Sequence, residues 1–295
     1  MYAAIDQIAG RDLSTAAVCT TLNLSRSAYY AWRSGEPSSR ASRDEELAPL
    51  VRAIFWKHRR RYGTRRIASE LLDLGQRLSP RRVARLLKNQ GLRAIQPKSF
   101  VPKTTDSWHR LGYSPNLLLE TPEPIGIDEL WVGDITYVPL RGGSFCYLAL
   151  LMDRFSRAWV GWRLGETMTD ELTLAALRLA IAQRQPPAGL IHHTDRGGQY
   201  ASVRYRHVLR RSEIRQSRPP RGGGARRAAN CYDNAFMKSC FGTVKTELEM
   251  TEYQNYQAAR REITEYLHYY LHQRKHSALG YFTPAQFELL HRTKS

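Results

Sequence analysis

Two aspartates stand where an acidic side chain is costly. Asp134 interrupts the apolar run ELWVGDITYVPL, and Asp195 closes the short run GLIHHTD one residue ahead of Gly197-Gly198. A carboxylate inside a strand needs compensation for its burial, and glycines following Asp195 let the backbone turn closely round it. On adjacent strands of one sheet the two would reach a shared divalent cation, and hard oxygen ligands with open positions suit magnesium or manganese. Taken singly, each reads equally as a strand-end cap or a salt-bridge partner. Taken together, a metal explains them better. A third residue poses a question: Lys238, near the start of the helical pattern CYDNAFMKSCFGTVKTELE at 231–249.

The elements that must carry these residues follow from periodicity. ELWVGDITYVPL, SFCYLALLMD and RAWVGWRL are three successive strand patterns, the first two joined by the turn Arg141-Gly142-Gly143. The almost wholly apolar second run belongs inside a sheet. TDELTLAALRLAIAQR reads as an amphipathic helix and GLIHHTD as a buried strand, which together make a crossover. A helix over QYASVRYRHVLRR and a last short strand IRQS complete a βββαβαβα order, the pattern of a mixed sheet with helices on both faces. Residues 252–270 read as a long helix.

Net charge is +18, distributed unevenly: +12 over residues 1–110 (21 basic against 9 acidic side chains), +1 over 111–217 (12 against 11) and +5 over 218–295 (12 against 7). Such an excess favours a polyanion as partner. A membrane role is disfavoured, since no segment approaches the length of an apolar span, and a cytoplasmic location is expected. Cys19, Cys146, Cys231 and Cys240 form no C-x-x-C pair and no zinc spacing, so structural or free thiols in a reducing compartment are expected.

Within the basic third, STAAVCTTL and RSAYYAWRS are short helical patterns joined by Asn23-Leu24-Ser25, with Ser25 as N-cap and Gly35 as stop. A second pair lies in residues 62–91, where Ser79 caps, Pro80 takes the first helical position and Gly91 ends the helix. Val83, Leu86 and Leu87 make its inner face. Arg81, Arg82, Arg85 and Lys88 are expected outside, as a recognition helix needs, although a solvated basic helix on a small bundle is the plain alternative. Five prolines between 97 and 124 mark an extended linker.

Several long blocks carry a resemblance. WVGDITYVPL with YLALLMDRFSRAWVGW, HHTDRGGQY, CYDNAFMKSCFGTVKTELE and YYLHQRKHSALGYFTPAQF resemble successive blocks of insertion-sequence transposases in the retroviral-integrase superfamily. They are most similar to the catalytic subunit encoded by the second reading frame of two-frame elements. LNLSRSAYYAW and RRYGTRRIASELL resemble the leading blocks, so the likeness covers almost the whole chain. It implies an α/β fold: a ribonuclease-H-like integrase catalytic core, with a mixed five-stranded sheet and flanking helices, preceded by small all-α helix-turn-helix units. The expected organisation is a helix-turn-helix-like unit at 1–40, a second at 41–95, a linker at 96–128, the core at 129–250 and a C-terminal helix and tail at 251–295, packed on the core.

The activity implied is that of a DNA transposase acting at insertion-sequence ends by metal-dependent strand cleavage and transfer. In that family two Asp and one Glu hold two metal ions, magnesium or manganese, that activate the attacking oxygen and stabilise the leaving one. Asp134 and Asp195 match the two aspartates. The Glu belongs to a block similar to N-A-x-x-E-S, which here reads NAFMKSC, so Lys238 stands at its position, 43 residues after Asp195. The stretch RPPRGGGARRAAN at 218–230 is longer than the loop the family has there, and shortening it restores the family's spacing. An ammonium at that position could neutralise the carboxylates in the metal's place. Among neighbouring acids, Asp233 precedes the helix and Glu247 points to its opposite face. A catalytically silent DNA-binding relative, as regulator or inactive partner subunit, is therefore the alternative to an active transposase, and a general ribonuclease-H-type nuclease is a further rival.

Arg65, Arg66, Arg81, Arg82, Arg85, Lys88, Lys245, Arg274 and His276 are the expected DNA contacts, with His276 equally readable as a residue that holds the tail. The implied partners are double-stranded DNA of the terminal repeats and target, further copies of the chain on that DNA, and a separate first-frame DNA-binding subunit. The resemblance places the protein in the bacterial cytoplasm, associated with the nucleoid.

Overall fold

Strand order decides where the two aspartates fall. The structure, a computed structural model, describes residues 2–8, 14–96, 116–119, 121–195, 197–218, 235–249 and 252–292. Most of the 96–128 segment, the stretch 219–230, Cys231 and Asp233 lie outside the described residues. The chain divides into two units, Met1–Ala94 and Ile95–Ser295.

The second unit is built on a five-stranded sheet: β1 (Leu130–Pro139), β2 (Phe145–Asp153), β3 (Trp159–Gly165), β4 (Ile191–Thr194) and β5 (Arg215–Ser217), in the order β3-β2-β1-β4-β5. The first three strands form an antiparallel meander, and β4 and β5 add in parallel beside β1. The β1–β2 turn is tight because Gly142 and Gly143 take left-handed backbone angles, φ +81° and +77°. The mixed five-stranded sheet expected from the sequence is the one found.

Alternation along the strands sends side chains to two cores. On one face Trp131, Ala149, Leu151 and Val160 pack with Leu172, Leu174, Ala176, Leu177 and Ala180 of helix α7 (Asp170–Arg184) and with Tyr200, Tyr205 and Leu209. Gly161 lets α7 approach: a Cβ there would sit 2.4 Å from the Ala176 carbonyl oxygen. On the other face Val138, Leu140, Cys146, Leu148 and Leu164 pack with Tyr253 and with Ala259 and Ile263 of α11 (Tyr256–His272). Helix α10 (Ala235–Glu247) lies against β1 and buries Met237, Cys240, Phe241 and Val244. Helix α12 (Pro284–Arg292) packs on α11. After β4 the expected single helix is two, α8 (Gly198–Ala201) and α9 (Val203–Arg211), because Ser202 breaks the run and its hydroxyl caps α9 by accepting from the Tyr205 amide.

The first unit is all helical. α1 (Tyr2–Ile8), α2 (Thr15–Thr21) and α3 (Arg26–Ser34) share the small core Ile5, Val18, Cys19 and Tyr29. Ser25 caps α3 and Gly35 ends it at φ +67°, as the sequence indicates. α4 (Ser39–Lys57), α5 (Thr64–Asp73) and α6 (Pro80–Asn89) form a three-helix group, with Val83, Leu86 and Leu87 buried and Ser79 capping α6. Cys19, Cys146 and Cys240 are free and buried. Among the described residues no helix is long and apolar enough to cross a membrane.

Candidate active site

The parallel pairing of β1 with β4 runs Leu130 to Ile191, Trp131 to His192, Val132 to His193 and Gly133 to Thr194. The next residues on the two strands are Asp134 and Asp195. The fold thus carries both carboxylates to matching positions at the end of the paired stretch.

Each is held locally. The Ile135 amide donates to Asp134 Oδ1 at 2.8 Å, and the Gly197 amide donates to Asp195 Oδ1 at 2.9 Å. Arg218, almost fully buried at the end of β5, donates to the carbonyls of Asp195 and Gly197 at 3.4 and 3.2 Å and so fixes the turn that carries Asp195. Both aspartates are half-buried. They also address one common group, the fully buried phenol of Tyr200. Burial pushes its pKa well up, and Asp134, Tyr205 and Asp195 push it further. Tyr200 is therefore protonated at any working pH.

Ahead of Asp195, β4 carries two buried histidines whose side chains leave on opposite faces of the sheet. Burial, first among the causes, lowers His192 to about 3 and His193 to about 4. His192 Nε2 meets the Tyr205 hydroxyl at 2.8 Å and His193 Nδ1 the Ser217 hydroxyl at 2.9 Å. Both are neutral at pH 7.

Helix α10 carries two lysines, Lys238 and Lys245. Lys238 lies exposed on its first turn and, among the described residues, makes no ion pair with Asp134 or Asp195. The expectation that Lys238 neutralises the carboxylates is thus not what the geometry displays. The lysine coupled to Asp134 is Lys245, half-buried, where desolvation lowers the ammonium pKa and Asp134 opposes that shift. Seven residues apart, Lys238 and Lys245 share a helix face, with Lys238 about 10 Å nearer the helix N-terminus.

Of the expected DNA contacts Arg274 requires correction, and Arg82 and Arg85 have a partner within the first unit. Arg274 is 4% exposed, and its Nε and an Nη donate to Glu247 at 2.7–2.9 Å, with Tyr266 donating to the same carboxylate at 3.0 Å. It is a buried tie between the tail and α10, not a surface cation. Periodicity alone turns Arg82 and Arg85 outward. Both instead pair with Asp44 of α4, Arg82 at 2.7 Å, and Arg82 holds the Asp44 carboxyl below its usual range. Their stripe thus meets another helix while the two side chains stay 28% and 37% exposed. His276 rests edge-on to Tyr270 at 4.7 Å with its ring nitrogens against Arg274, which fits the tail-holding alternative. Arg65, Arg81 and Lys88 are exposed, and Arg66 is half-buried with its guanidinium 5.6 Å from the Tyr62 ring centre.

Sequence reasoning missed Tyr200, Arg218 and the Glu247–Arg274 pair. Tyr200 stands in the block DRGGQY directly after Asp195, which was its one available signal. No pattern along the chain links Glu247 to Arg274, 27 residues apart.

Comparison with known proteins points the same way. The integrase core domain family matches residues 127–222 and again 225–284, and an HTH-like domain family matches residues 42–100. An uncharacterized 31 kDa protein of insertion element IS600 from Shigella sonnei is 41% identical over 272 residues, 92% of this chain and 97% of its own. Transposase InsF for insertion sequence IS3A of Escherichia coli (strain K12) is 35% identical over 281 residues, 94% of each chain. Among solved structures, the HTLV-2 integrase catalytic core domain in complex with magnesium aligns over 56% of this chain and 98% of its own, with a TM-score of 0.40 and 18% identity.

Proposed function

Because this chain belongs to the insertion-sequence transposases that carry an integrase core, we propose that Asp134 and Asp195 are the carboxylates with which it cleaves and joins DNA strands at the ends of its element. The observation that carries this reading is their matching position at the end of the β1–β4 pairing. Two hard, half-buried carboxylate oxygens fit a divalent cation, magnesium or manganese, while Lys238 adds no ligand. When bound, such an ion supplies charge neutralisation at the attacking and leaving oxygens of phosphoryl transfer.

The remaining roles belong to this chain's own groups. The Gly197 amide holds the Asp195 carboxylate, and Arg218 holds the turn that carries it. Tyr200, held protonated, backs the site without adding a third negative charge. Lys245, on the Asp134 side, offers an ammonium to a DNA phosphate, and Arg65, Arg81 and Lys88 offer exposed cations on the first unit. The +12 excess over residues 1–110 supports that unit as the main grip on double-stranded DNA. Element ends and target DNA, further copies of the chain and a first-frame subunit are the partners this chemistry calls for.

The test is nicking and joining of end-containing DNA in magnesium or manganese. Asp134→Asn and Asp195→Asn should each abolish whatever metal-dependent product the unaltered chain gives, with DNA binding retained. Product that persists in both variants would remove these residues from the chemistry.

A further inference from the structure

Helix α10 lies against β1, and the ring of Phe236 stands in its first turn two residues before position 238. The Arg154 guanidinium carbon lies 4.0 Å from the centre of the Phe236 ring, and that of Arg157 lies 4.3 Å from it. We infer that Phe236, gripped by Arg154 and Arg157, is a positioning residue that sets the roll of α10 about its axis and thereby aims position 238 and Lys245 at the Asp134 side. This rests on the reading of that site given above and extends it to a residue that touches no substrate.

The grip comes from a rigid piece of the sheet. Both arginines sit on the β2–β3 turn, where Asp153 Oδ1 accepts from the Ser156 amide at 2.7 Å, the Arg157 amide donates to the Asp153 carbonyl at 2.9 Å and the Arg154 amide donates to the Leu130 carbonyl of β1 at 2.9 Å. The Asp128 amide holds Asp153 Oδ2 at 2.8 Å. Ser156 Oγ lies 2.7 Å from Glu288 Oε1, which in turn pairs with Arg184. The turn is thus fastened to β1, to α7 and to α12. Arg154 is also paired with Glu123 at 2.5 Å, which offsets its repulsion of Arg157. Burial, and then Arg154, lowers the Arg157 pKa. Two cations sharing one ring are costly to assemble and mark a contact with a specific demand on geometry.

Helical geometry says what the demand is. At about 100° per residue, the buried stripe of α10 (Met237, Cys240, Phe241, Val244) has Phe236 on one flank and Lys238 with Lys245 on the other. An apolar stripe alone resists tilt better than it resists roll. Fixing one flank by Phe236 fixes the other. A roll of roughly 10° moves a side-chain tip by about 1 Å, which is enough to cost on the order of a hundredfold in rate.

The experiment uses the full chain with Phe236→Leu, Phe236→Ala and Phe236→Trp. Leucine keeps an apolar side chain but has no ring face for a cation, and tryptophan has the best one. Hydrogen exchange over 235–247, without DNA or metal, should rise about tenfold in the leucine and alanine variants and stay protected in the tryptophan variant, with β1 and β2 unchanged. Arg157→Gln should reproduce the leucine result from the other side, covering the case in which a Phe236 variant fails to fold. On a Lys238→Glu background, manganese-dependent nicking of an end-containing duplex should fall at least tenfold with leucine and recover with tryptophan. Leucine behaving as phenylalanine in exchange would overturn the inference, as would a uniform rise across the whole unit, since either makes Phe236 a filler of space. The expected exchange pattern with no nicking in the Lys238→Glu parent counts against the site reading and supports the grip, so the two fail separately.

Discussion

Replacing Arg274 with leucine tests whether the tail arginine is a tie or a DNA contact. Arg274 and Glu247 are 4% and 7% exposed, joined by N–O distances of 2.7, 2.9 and 2.9 Å, and Tyr266 occupies one more site on the carboxylate at 3.0 Å. Removing the guanidinium strands a buried carboxylate, and breaking such a pair costs roughly 3–5 kcal/mol. For a unit of this size each kcal/mol moves the midpoint by roughly 2–4 °C, so a drop of about 10 °C in thermal unfolding is expected, followed by circular dichroism. The double variant Glu247→Leu/Arg274→Leu should recover most of it, because no charge is then left unpaired. Duplex affinity of the folded single variant, and its slope against salt, should match the parent. A midpoint shift under about 2 °C with a shallower salt slope would show that Arg274 is a phosphate contact after all.

The other predictions rest on the same distinctions. Arg81→Ala with Lys88→Ala should weaken duplex binding and reduce its salt slope with thermal midpoint unchanged, whereas Arg82→Ala with Arg85→Ala should lower the midpoint because Asp44 loses both partners; equal midpoints for the two pairs would refute the assignment. His192 and His193 have folded pKa values below the unfolded 6.5, so the unfolded state binds the extra protons and stability is lost as pH falls from about 6.5 toward 4. The loss is roughly 2 kcal/mol per histidine by about pH 5, and chemical denaturation at neutral and mildly acidic pH checks it, with Tyr205→Phe leaving the trend in place. Lys238→Glu should raise metal-dependent nicking without tightening DNA binding, since it adds a carboxylate on the flank that addresses Asp134; robust nicking by the unaltered chain that the change does not improve would mean another group supplies the third ligand.

How much of this was legible in the sequence depended on distance along the chain. The sheet was readable because strands repeat every two residues and Asp134 breaks an otherwise apolar run. Caps at Ser25 and Ser79 were readable because the capped amides lie within three residues. Two aspartates 61 positions apart converge only through the β1–β4 register, and that convergence came from the resemblance as much as from pattern. What escaped was polar pairing across long separations. Arg82 and Arg85 reach back to Asp44 over 38 and 41 residues. An outward basic stripe and one that faces a polar partner helix have the same periodicity. Helix α4 itself, with Pro49 inside it and no sustained apolar stripe, gave periodicity little to detect.

The fold bears on what a lysine at 238 means. Helix α10 is held by Met237, Cys240, Phe241 and Val244 in its stripe, by Glu247 on Arg274 and by Phe236 on the β2–β3 turn. None of these contacts involves residue 238, which is exposed on the first turn. A glutamate there would favour the positive end of the helix dipole and a lysine would oppose it, a difference of about 1 kcal/mol at most. The lysine therefore costs the fold almost nothing, and a glutamate in its place would add a carboxylate to the helix face that carries Lys245. Stability cannot report on this position, so melting curves of the unaltered chain and of the Lys238→Glu variant should nearly superimpose. Only a measurement of metal-dependent strand chemistry distinguishes them, because the residues that hold α10 are separate from position 238.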